Sequence, residues 1–299
     1  MDESLQCSEQ GERRGRFYTK RTLRSGVMNK IHVLIVGGSG GIGSAIARRC
    51  ARKGAWPVVG YQSRADLARR VVMECGRGEI VHLDLESREF QQAKQLGRVN
   101  AVVLAAGLYL PRRDLLTTTD DEFERLISVN VLGPVRLTRA LLEGGHQLGD
   151  LIFILSTASF GRGGGPYALS KVGELGVCKL LANELAPSGT RVNAIAPGWT
   201  DTPMAVRAAQ AVGLSLDDMR GKHLGRRILA PDQIGELCAE LLFNKPCQGS
   251  GQLVVWDRRD TTDPVWLRLE AAFACESSTP NSSVTRPPQQ NSSDSSRRR

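Results

Sequence analysis

A tyrosine and a lysine stand four residues apart in this sequence, as Tyr167 and Lys171 in the segment Tyr-Ala-Leu-Ser-Lys. On a helix, side chains at positions i and i+4 share one face, so the ammonium would lie beside the phenol. A positive charge next to a phenol favours its ionised form and helps it to exchange protons near neutral pH. The spacing therefore predicts general acid–base chemistry at Tyr167.

A glycine-rich segment follows an apolar run near residue 36, and it reads Val36-Gly37-Gly38-Ser39-Gly40-Gly41-Ile42-Gly43. Glycines permit a tight turn and let backbone N–H groups approach a pyrophosphate, while the next helix adds about half a positive charge at its N-terminus. Apolar residues at helical spacing continue the segment, which is the context of a dinucleotide site. A tight turn without a ligand is the alternative. The residues predicted to hold the dinucleotide here are Gly37, Ser39, Gly41, Ile42 and Gly43.

The end of the second apolar run indicates which dinucleotide is bound. NAD sites usually place Asp or Glu there to bind the ribose 2′-hydroxyl, but this chain has Gly60-Tyr61-Gln62-Ser63-Arg64 and no carboxylate before Asp66. Ser63 and Arg64 could instead hold a 2′-phosphate. We therefore expect NADP(H) to be preferred, with NAD(H) possible and a solvated Arg64 as the alternative.

Short apolar runs alternate with amphipathic segments along the body of the chain, which predicts an α/β fold. We expect a single Rossmann-type, doubly wound parallel sheet of about seven strands with helices on both faces. Thr119 and Glu122 form a capping box that predicts a helix start, and a second helix is expected from Pro231 to Phe243. The predicted strands are Ile31–Val36, Val58–Tyr61, Glu79–Leu83, Val99–Ala105, Leu151–Leu155, Arg191–Ala196 and Gln252–Trp256.

The pattern divides the chain into three parts. Residues 1–27 are a polar, Arg-rich extension that we expect to be disordered, although a transit segment or a true start at Met28 are alternatives. Residues 28–257 form the dinucleotide-binding domain. Residues 258–299 form a second extension, with a short helix over 263–275 that has proline at its first helical position, followed by a disordered Ser/Asn/Pro-rich tail.

Composition excludes several functions. The net charge of +9 is spread over the chain without a basic, aromatic-rich block, so no nucleic-acid binding is expected. No apolar stretch approaches the roughly 20 residues of a membrane helix, and the histidines lack metal-ligand spacing. The cysteines form no C-x-x-C pair, which favours a reducing compartment. A cytoplasmic location is therefore predicted, with mitochondria or plastids as the alternative if residues 1–27 are a transit segment.

Taken together, these motifs resemble those of the short-chain dehydrogenase/reductase family over about residues 30–257. The glycine segment is similar to the family's T-G-x-x-x-G-I-G motif, and Ser128-Val129-Asn130-Val131 is similar to the segment that holds its catalytic asparagine. Tyr167 and Lys171 match its tyrosine–lysine pair. The stretch from Arg191 to Thr202 matches the segment that lines the nicotinamide.

The resemblance implies a role for each matching residue. Tyr167 would be the general acid/base, Lys171 would assist its ionisation and bind the nicotinamide ribose, and Ser156 would polarise the substrate carbonyl. Asn130 would keep a water in a proton relay to Lys171, or be only a structural amide. Thr157 or Ser159 could replace Ser156. Thr202 and the backbone of Ile195 would orient the carboxamide. The other implied cofactor contacts are Asp84, Leu85, Ala106, Gly107, Pro197, Gly198 and Thr200.

The nearest likeness is to 3-oxoacyl-[acyl-carrier-protein] reductases, because the stretch from His223 to Ile234 resembles their L-G-R…P-E-E-I segment. This likeness implies reduction of a ketone or acyl thioester with NADPH by a homo-oligomer, a tetramer or a dimer. Residues Pro203–Gly225 would form a lid lined by Met204, Val206, Leu214 and Leu216. The alternatives are an NAD-dependent alcohol, sugar or steroid dehydrogenase, and a non-catalytic regulatory subunit that binds the dinucleotide.

Overall fold

The computed structural model describes residues 30–111, 114–161, 165–222, 228–244, 250–257 and 264–269. Within these ranges the chain forms one sheet of eight strands in the order β3-β2-β1-β4-β5-β6-β7-β8. The first seven strands are parallel, and β8 pairs antiparallel with β7. The strands are β1 His32–Val36, β2 Trp56–Tyr61, β3 Glu79–His82, β4 Ala101–Leu104, β5 Asp150–Ile154, β6 Arg191–Pro197, β7 Gln252–Trp256 and β8 Val265–Arg268.

Helices connect the successive parallel strands and cover both faces of the sheet. Those in the described residues are α1 Gly41–Arg52, α2 Ala65–Cys75, α3 Gln91–Lys94, α4 Asp120–Ile127, α5 Gly133–Glu143, α6 Gly165–Glu184, α7 Pro203–Gln210, α8 Leu216–Lys222 and α9 Pro231–Ala239. A π-helical turn, Ser128–Leu132, joins α4 to α5, and another, Glu240–Asn244, extends α9. The predicted α/β fold, with strands close to the predicted bounds, is confirmed.

Alternate residues of the strands pack into two hydrophobic cores, one on each face of the sheet, because successive side chains of a strand point to opposite faces. On β1, Val33 and Ile35 pack into the core that includes Ile46 of α1 and Ile234 of α9. Leu34 and Val36 pack into the opposite core with residues of α5 and α6 such as Leu141. The capping box predicted at Thr119 is also present, since its hydroxyl accepts from the Glu122 N–H while Glu122 accepts from the Thr119 N–H.

The order of the strands fixes where a ligand can bind. The chain proceeds outward from β1 through β2 and β3 on one side, and through β4 to β8 on the other. Loops that leave the carboxyl ends of β1 and β4 therefore diverge and open a crevice, which is the usual ligand site of such sheets. The glycine segment follows β1, and Ala106-Gly107 follows β4, so both motifs lie at this crevice.

The prediction of a short helix over 263–275 is wrong at the residues described there, because Val265–Arg268 is the edge strand β8. The open edge of β7 offers unpaired backbone groups, and pairing with them outweighs a weak helical signal. Trp266 packs partly buried into one core, whereas Val265 and Leu267 are exposed, which is the period of a strand. Pro264 lies just before β8, where its missing N–H disrupts no ladder. The predicted extension 1–27 and most of 258–299 lie outside the described residues.

No helix in the described part of the chain is both long enough and apolar enough to span a bilayer.

Candidate active site

The glycine segment forms a tight loop in which added side chains would collide with neighbouring atoms. Gly37 has a φ of +75°, and a Cβ there would lie 2.8 Å from the backbone N and Cα of Ala106. A Cβ on Gly41 would lie 2.7 Å from the methyl group of Thr202, and one on Gly43 would overlap the carbonyl oxygen of Gly37. The predicted glycines are thus required by close approaches between β1, α1, the β4 loop and the β6 loop.

The same loop leaves the N-terminus of α1 suited to an anion. Gly40 caps the helix without a side chain, and the first turn carries no acidic residue. The first N–H groups of a helix lack intrahelical partners, so they and the helix dipole can bind a pyrophosphate. Half-buried Ser39 lies at this turn. The loop leaves space that Cβ atoms would fill, and no side chain caps the helix beside it. This arrangement fits a dinucleotide.

A cavity of about 160 Å³ extends from the glycine loop along the ends of β3 and β4. Asp84 lies at its wall, and its carboxylate accepts a hydrogen bond of 3.0 Å from the N–H of Glu86. Four of the residues assigned to cofactor binding from the sequence meet here together with Gly37. They are Asp84, Leu85, Ala106 and Gly107. The structure thus brings the glycine motif and the Asp-Leu pair to one cavity.

Ser63 and Arg64 follow β2 and are exposed to solvent, so both are accessible to a ligand at this end of the sheet. Arg64 forms two hydrogen bonds with Asp66, of 3.1 and 3.0 Å, in a bidentate ion pair. The carboxylate of Asp66 raises the pKa of Arg64, and the Arg64 guanidinium lowers the pKa of Asp66. The guanidinium predicted to hold a 2′-phosphate therefore already has an anionic partner.

A second, larger cavity of about 470 Å³ lies at the ends of β5 and β6, and its wall extends to Ile42 beside the glycine loop. Two residues of the predicted catalytic set line it: Tyr167, in the first turn of α6, and Ser156, two residues after the end of β5. The ring of Tyr109 packs edge-on against Tyr167 with ring centroids 5.2 Å apart. The structure therefore places the proposed proton donor and the proposed carbonyl-polarising hydroxyl in one cavity.

Ser156 begins a 3₁₀ turn, Thr157–Phe160, and its hydroxyl oxygen accepts a hydrogen bond of 3.2 Å from the Ala158 N–H. The hydroxyl proton remains available for a substrate carbonyl. Of the two alternatives to Ser156, Thr157 also lines the cavity, whereas the buried Ser159 is not among its described lining residues. Part of the loop before Tyr167, residues 162–164, lies outside the described residues.

Lys171 is buried behind Tyr167, with its Nζ 5.9 Å from the centroid of the phenol ring. Its ammonium donates to the carbonyl oxygen of Ile154 at 3.3 Å and to Oε2 of Glu174 at 2.5 Å. Burial lowers the pKa of Lys171, but the charges of Glu174 and Tyr167 outweigh that effect and the pKa is raised. The predicted pairing of ammonium and phenol is present, together with a carboxylate that the sequence analysis missed.

Asn130 lies buried in the π-helical turn Ser128–Leu132. Its Oδ1 accepts from the Leu108 N–H at 2.7 Å, and its Nδ2 donates to the Leu108 carbonyl and to Ser170 Oγ, both at 2.9 Å. The amide therefore ties the loop after β4 to α6, beside Lys171. This geometry matches the structural alternative, and the predicted water relay stays a prediction.

The segment after β6 reaches the cavity at the predicted positions. Four residues predicted to contact the cofactor all line it: Pro197, Gly198, Thr200 and Thr202. Thr202 also caps α7, because its hydroxyl oxygen accepts from the Ala205 N–H at 3.2 Å. Ile195 is not among the described lining residues, and its carbonyl accepts from the Leu155 N–H within the sheet. Its predicted backbone contact with the carboxamide therefore has no support in this geometry.

Helices α7 and α8 cover the cavity, as expected of a lid. Met204 lines it as predicted, but Val206, Leu214 and Leu216 are not among its described lining residues. The lid residues that do line it are Met204, Ala205, Ala208, Val212 and Met219. Val206, Leu214 and Leu216 are only partly buried, and hydrophobicity alone does not distinguish such residues from those that line the cavity. The stretch from His223 to Arg227 lies outside the described residues.

Comparison with known proteins agrees with this geometry. Residues 37–258 match a family model described as enoyl-(acyl carrier protein) reductase. The chain is 32% identical over 177 residues to the 3-oxoacyl-[acyl-carrier-protein] reductase MabA of Mycobacterium bovis, covering 58% of this chain and 70% of that protein. These matches show that the chain belongs to the short-chain dehydrogenase/reductase family. It is an NAD(P)-dependent oxidoreductase of that family and resembles its 3-oxoacyl reductases.

Solved structures give the same fold. The crystal structure of BdcA in complex with NADPH superposes with a TM-score of 0.61 and 27% identity, covering 71% of this chain and 86% of that one. A variant of actinorhodin polyketide ketoreductase with NADPH superposes with a TM-score of 0.68 and 23% identity, covering 78% of this chain and 98% of that one. At that identity the second likeness supports the fold alone.

Proposed function

We propose that the protein reduces a ketone, of the 3-oxoacyl thioester type, to an alcohol with NADPH, and that Tyr167 donates the proton. The observation that carries this proposal is that Tyr167 and Ser156 line one cavity whose wall reaches the glycine loop. Lys171 stands behind the phenol as a buried cation. A hydroxyl, a phenol and an ammonium around one point are the groups that a carbonyl reduction needs.

Each residue then has one task. When bound, the reduced nicotinamide supplies the hydride. Ser156 donates a hydrogen bond to the substrate carbonyl and holds it against the phenol, where developing negative charge on oxygen is stabilised. Tyr167 transfers its proton to that oxygen, and Lys171 stabilises the phenolate that remains. Gly37, Gly41 and Gly43 would hold the pyrophosphate, and Thr202 the nicotinamide end.

The preference for NADPH rests on the end of β2. Ser63 and Arg64 are exposed there, and the nearest following carboxylate, Asp66, is engaged with Arg64 rather than free for a ribose hydroxyl. A 2′-phosphate would compete with Asp66 for the guanidinium. Arginine binds phosphate well, because its planar guanidinium can donate two parallel hydrogen bonds to it. BdcA, which is similar to this chain, was solved with NADPH. NAD-dependent oxidation of an alcohol is the second candidate, because Asp66 weakens the attraction of Arg64 for a phosphate.

The substrate class rests on the cavity lining and on the likeness to MabA. Met204, Val212 and Met219 give the lid side an apolar surface, and Met side chains adapt to chains of different shape. A cavity of about 470 Å³ has the size that a small-molecule site requires. An acyl group fits this lining better than a polar sugar does.

We also propose that the protein is a homo-oligomer. Helix α6 presents Leu169, Val172 and Leu180 to solvent, 46%, 40% and 60% exposed. Their spacing of three, then eight residues places them on one face of the helix, and such an exposed apolar stripe is typical of an interface. Light scattering should therefore give a dimer or a tetramer, and Leu180→Glu should lower the mass. A monomeric wild-type protein would contradict this part of the proposal.

The decisive experiment compares Tyr167→Phe with the wild type, using acetoacetyl thioesters, quinones and ketosugars with NADPH and with NADH. Loss of the proton donor should lower kcat by about 10²- to 10⁴-fold while NADPH still binds. Tyr109→Phe is the matched control, since it removes a second phenol from the same cavity and should cost less than about tenfold. A kcat in Tyr167→Phe close to that of the wild type would refute the mechanism. A higher kcat/KM with NADH than with NADPH would refute the cofactor preference.

A further inference from the structure

A buried carboxylate next to the catalytic pair has no place in the mechanism described so far. Glu174 lies one turn after Lys171 on α6 and is completely buried. One of its oxygens, Oε2, accepts from Lys171 Nζ at 2.5 Å, and the other, Oε1, has no hydrogen-bond partner among the described residues. A buried ion pair of this kind seldom adds stability compared with apolar side chains of similar size. The position of Glu174 therefore points to a role in the chemistry.

Glu174 helps to fix the position of the Lys171 ammonium. An ammonium has three N–H donors, and the described hydrogen bonds use two of them, to Glu174 and to the carbonyl oxygen of Ile154. The third donor is left for a ligand in the crevice, because Nζ lies only 3.5 Å from the position that a Cβ of Gly107 would occupy. Without the carboxylate, the ammonium would lose one of its two fixed contacts.

Glu174 also changes the charge that the phenol experiences. Burial raises the pKa of Glu174, and the Lys171 ammonium opposes that effect. The Glu174 carboxylate in turn helps to raise the pKa of Lys171, so the lysine keeps its proton. The Tyr167 phenol thus faces a cation that has a close anionic partner.

Few other titratable groups face this pair in the described residues. Cys178 lies one turn further along α6, and burial together with the charge of Glu174 raises its pKa well above the usual value, so it stays neutral. Tyr109 packs against the ring of Tyr167. Strand β5 contributes the carbonyl of Ile154, and the π-helical turn contributes the neutral amide of Asn130.

We propose that Glu174 is a positioning residue for the pair Tyr167–Lys171: its carboxylate holds the Lys171 ammonium in place and offsets part of the positive charge that the ammonium presents to the phenol. The consequence is a phenol that faces a partly compensated cation, which favours donation of its proton to a ketone. Oxidation of the alcohol, which needs the phenolate, is correspondingly shifted to more alkaline conditions.

The inference rests on the proposed function and is tested by the pH profile of alcohol oxidation. In Glu174→Gln the ammonium loses its anionic partner and presents its full charge to the phenol. The limb of the oxidation profile that rises with pH should therefore move by about one pH unit towards acid. Glu174→Asp retains the charge and should keep the limb near its wild-type position. Glu184→Gln removes the same charge from the exposed end of α6 and serves as the control, with an unchanged profile.

Folding of each variant is checked by circular dichroism and by NADPH binding. If Glu174→Gln does not fold, Glu174→Leu, which fills the space with apolar atoms, takes its place with the same expected shift. An unshifted limb in a folded neutral variant would overturn the proposal, as would a shift in Glu174→Asp as large as that in Glu174→Gln. If neither neutral variant folds although Glu174→Asp does, the role is structural and the proposal is also overturned. A kcat close to the wild-type value in Tyr167→Phe would instead overturn the proposed function itself.

Discussion

Gly43→Ala tests whether the first turn of α1 is shaped for a dinucleotide. The added Cβ would overlap the carbonyl oxygen of Gly37, and it would lie 2.8 Å from the carbonyl carbon of Gly37 and 2.9 Å from Cα of Gly38. All three atoms belong to the backbone, so no side chain can rotate away. The glycine loop and α1 would have to separate by about 1 Å to restore ordinary contact distances in a close-packed interior.

The cost follows from this displacement. Overpacking that moves backbone costs about 1–3 kcal/mol, which corresponds to a fall in Tm of roughly 5 °C in a chain of this size. The same loop presents its N–H groups to the pyrophosphate, so NADPH affinity should fall at least about tenfold, or about 1.4 kcal/mol.

Thermal unfolding and fluorescence titration with NADPH measure both effects in the purified protein. Gly97→Ala is the matched control, because a Cβ there meets nothing within 4 Å and its φ is not positive. Its Tm and NADPH affinity should equal those of the wild type. If Gly43→Ala bound NADPH with wild-type affinity at an unchanged Tm, the close approach described for this loop would be wrong.

Three further perturbations check other parts of the structure. Asp66→Asn removes the anionic partner of Arg64, so KM for NADPH should fall several-fold while KM for NADH changes little. Steady-state kinetics that show equal changes in the two KM values would argue against a phosphate contact at Arg64. Thr119→Ala removes the capping-box hydroxyl of α4 and should cost about 1 kcal/mol in urea unfolding, whereas the exposed Thr117→Ala should cost almost nothing. Burial raises the pKa of Cys50 to about 12, so at pH 8 iodoacetamide should alkylate it only after unfolding, and mass spectrometry of the native protein that found it modified would contradict its burial.

The architecture could be predicted from the sequence because its strongest local signals agree with the tertiary packing. Several of the seven parallel strands are near-continuous apolar runs, as is typical of buried strands of a doubly wound sheet. Strand β8 could not be predicted, since a run of four residues with Asp-Pro before it satisfies helix and strand patterns alike. Its state depends on the open edge of β7, which is a tertiary feature.

The residues around the site likewise divide into those that could be predicted from the sequence and those that could not. Tyr167, Lys171 and the glycines carry their signal in spacing, and the geometry brings them to the predicted crevice. Glu174 carries no such signal, because a glutamate three residues after a lysine usually forms a surface pair on a helix. Only the burial of that face of α6 makes it a partner of the active site. The prediction of the lid lining was partly wrong for a related reason, because packing determines which side chains of α7 and α8 face the cavity.

The most direct test of the central claim is a crystal structure of the protein with NADP⁺ and the alcohol product. Our account predicts that Tyr167 Oη lies within about 3.2 Å of the product oxygen, that Ser156 Oγ contacts the same oxygen, and that the carbon bearing it faces C4 of the nicotinamide. A complex in which the Tyr167 hydroxyl is turned away from the product, with another group at that distance, would contradict the account.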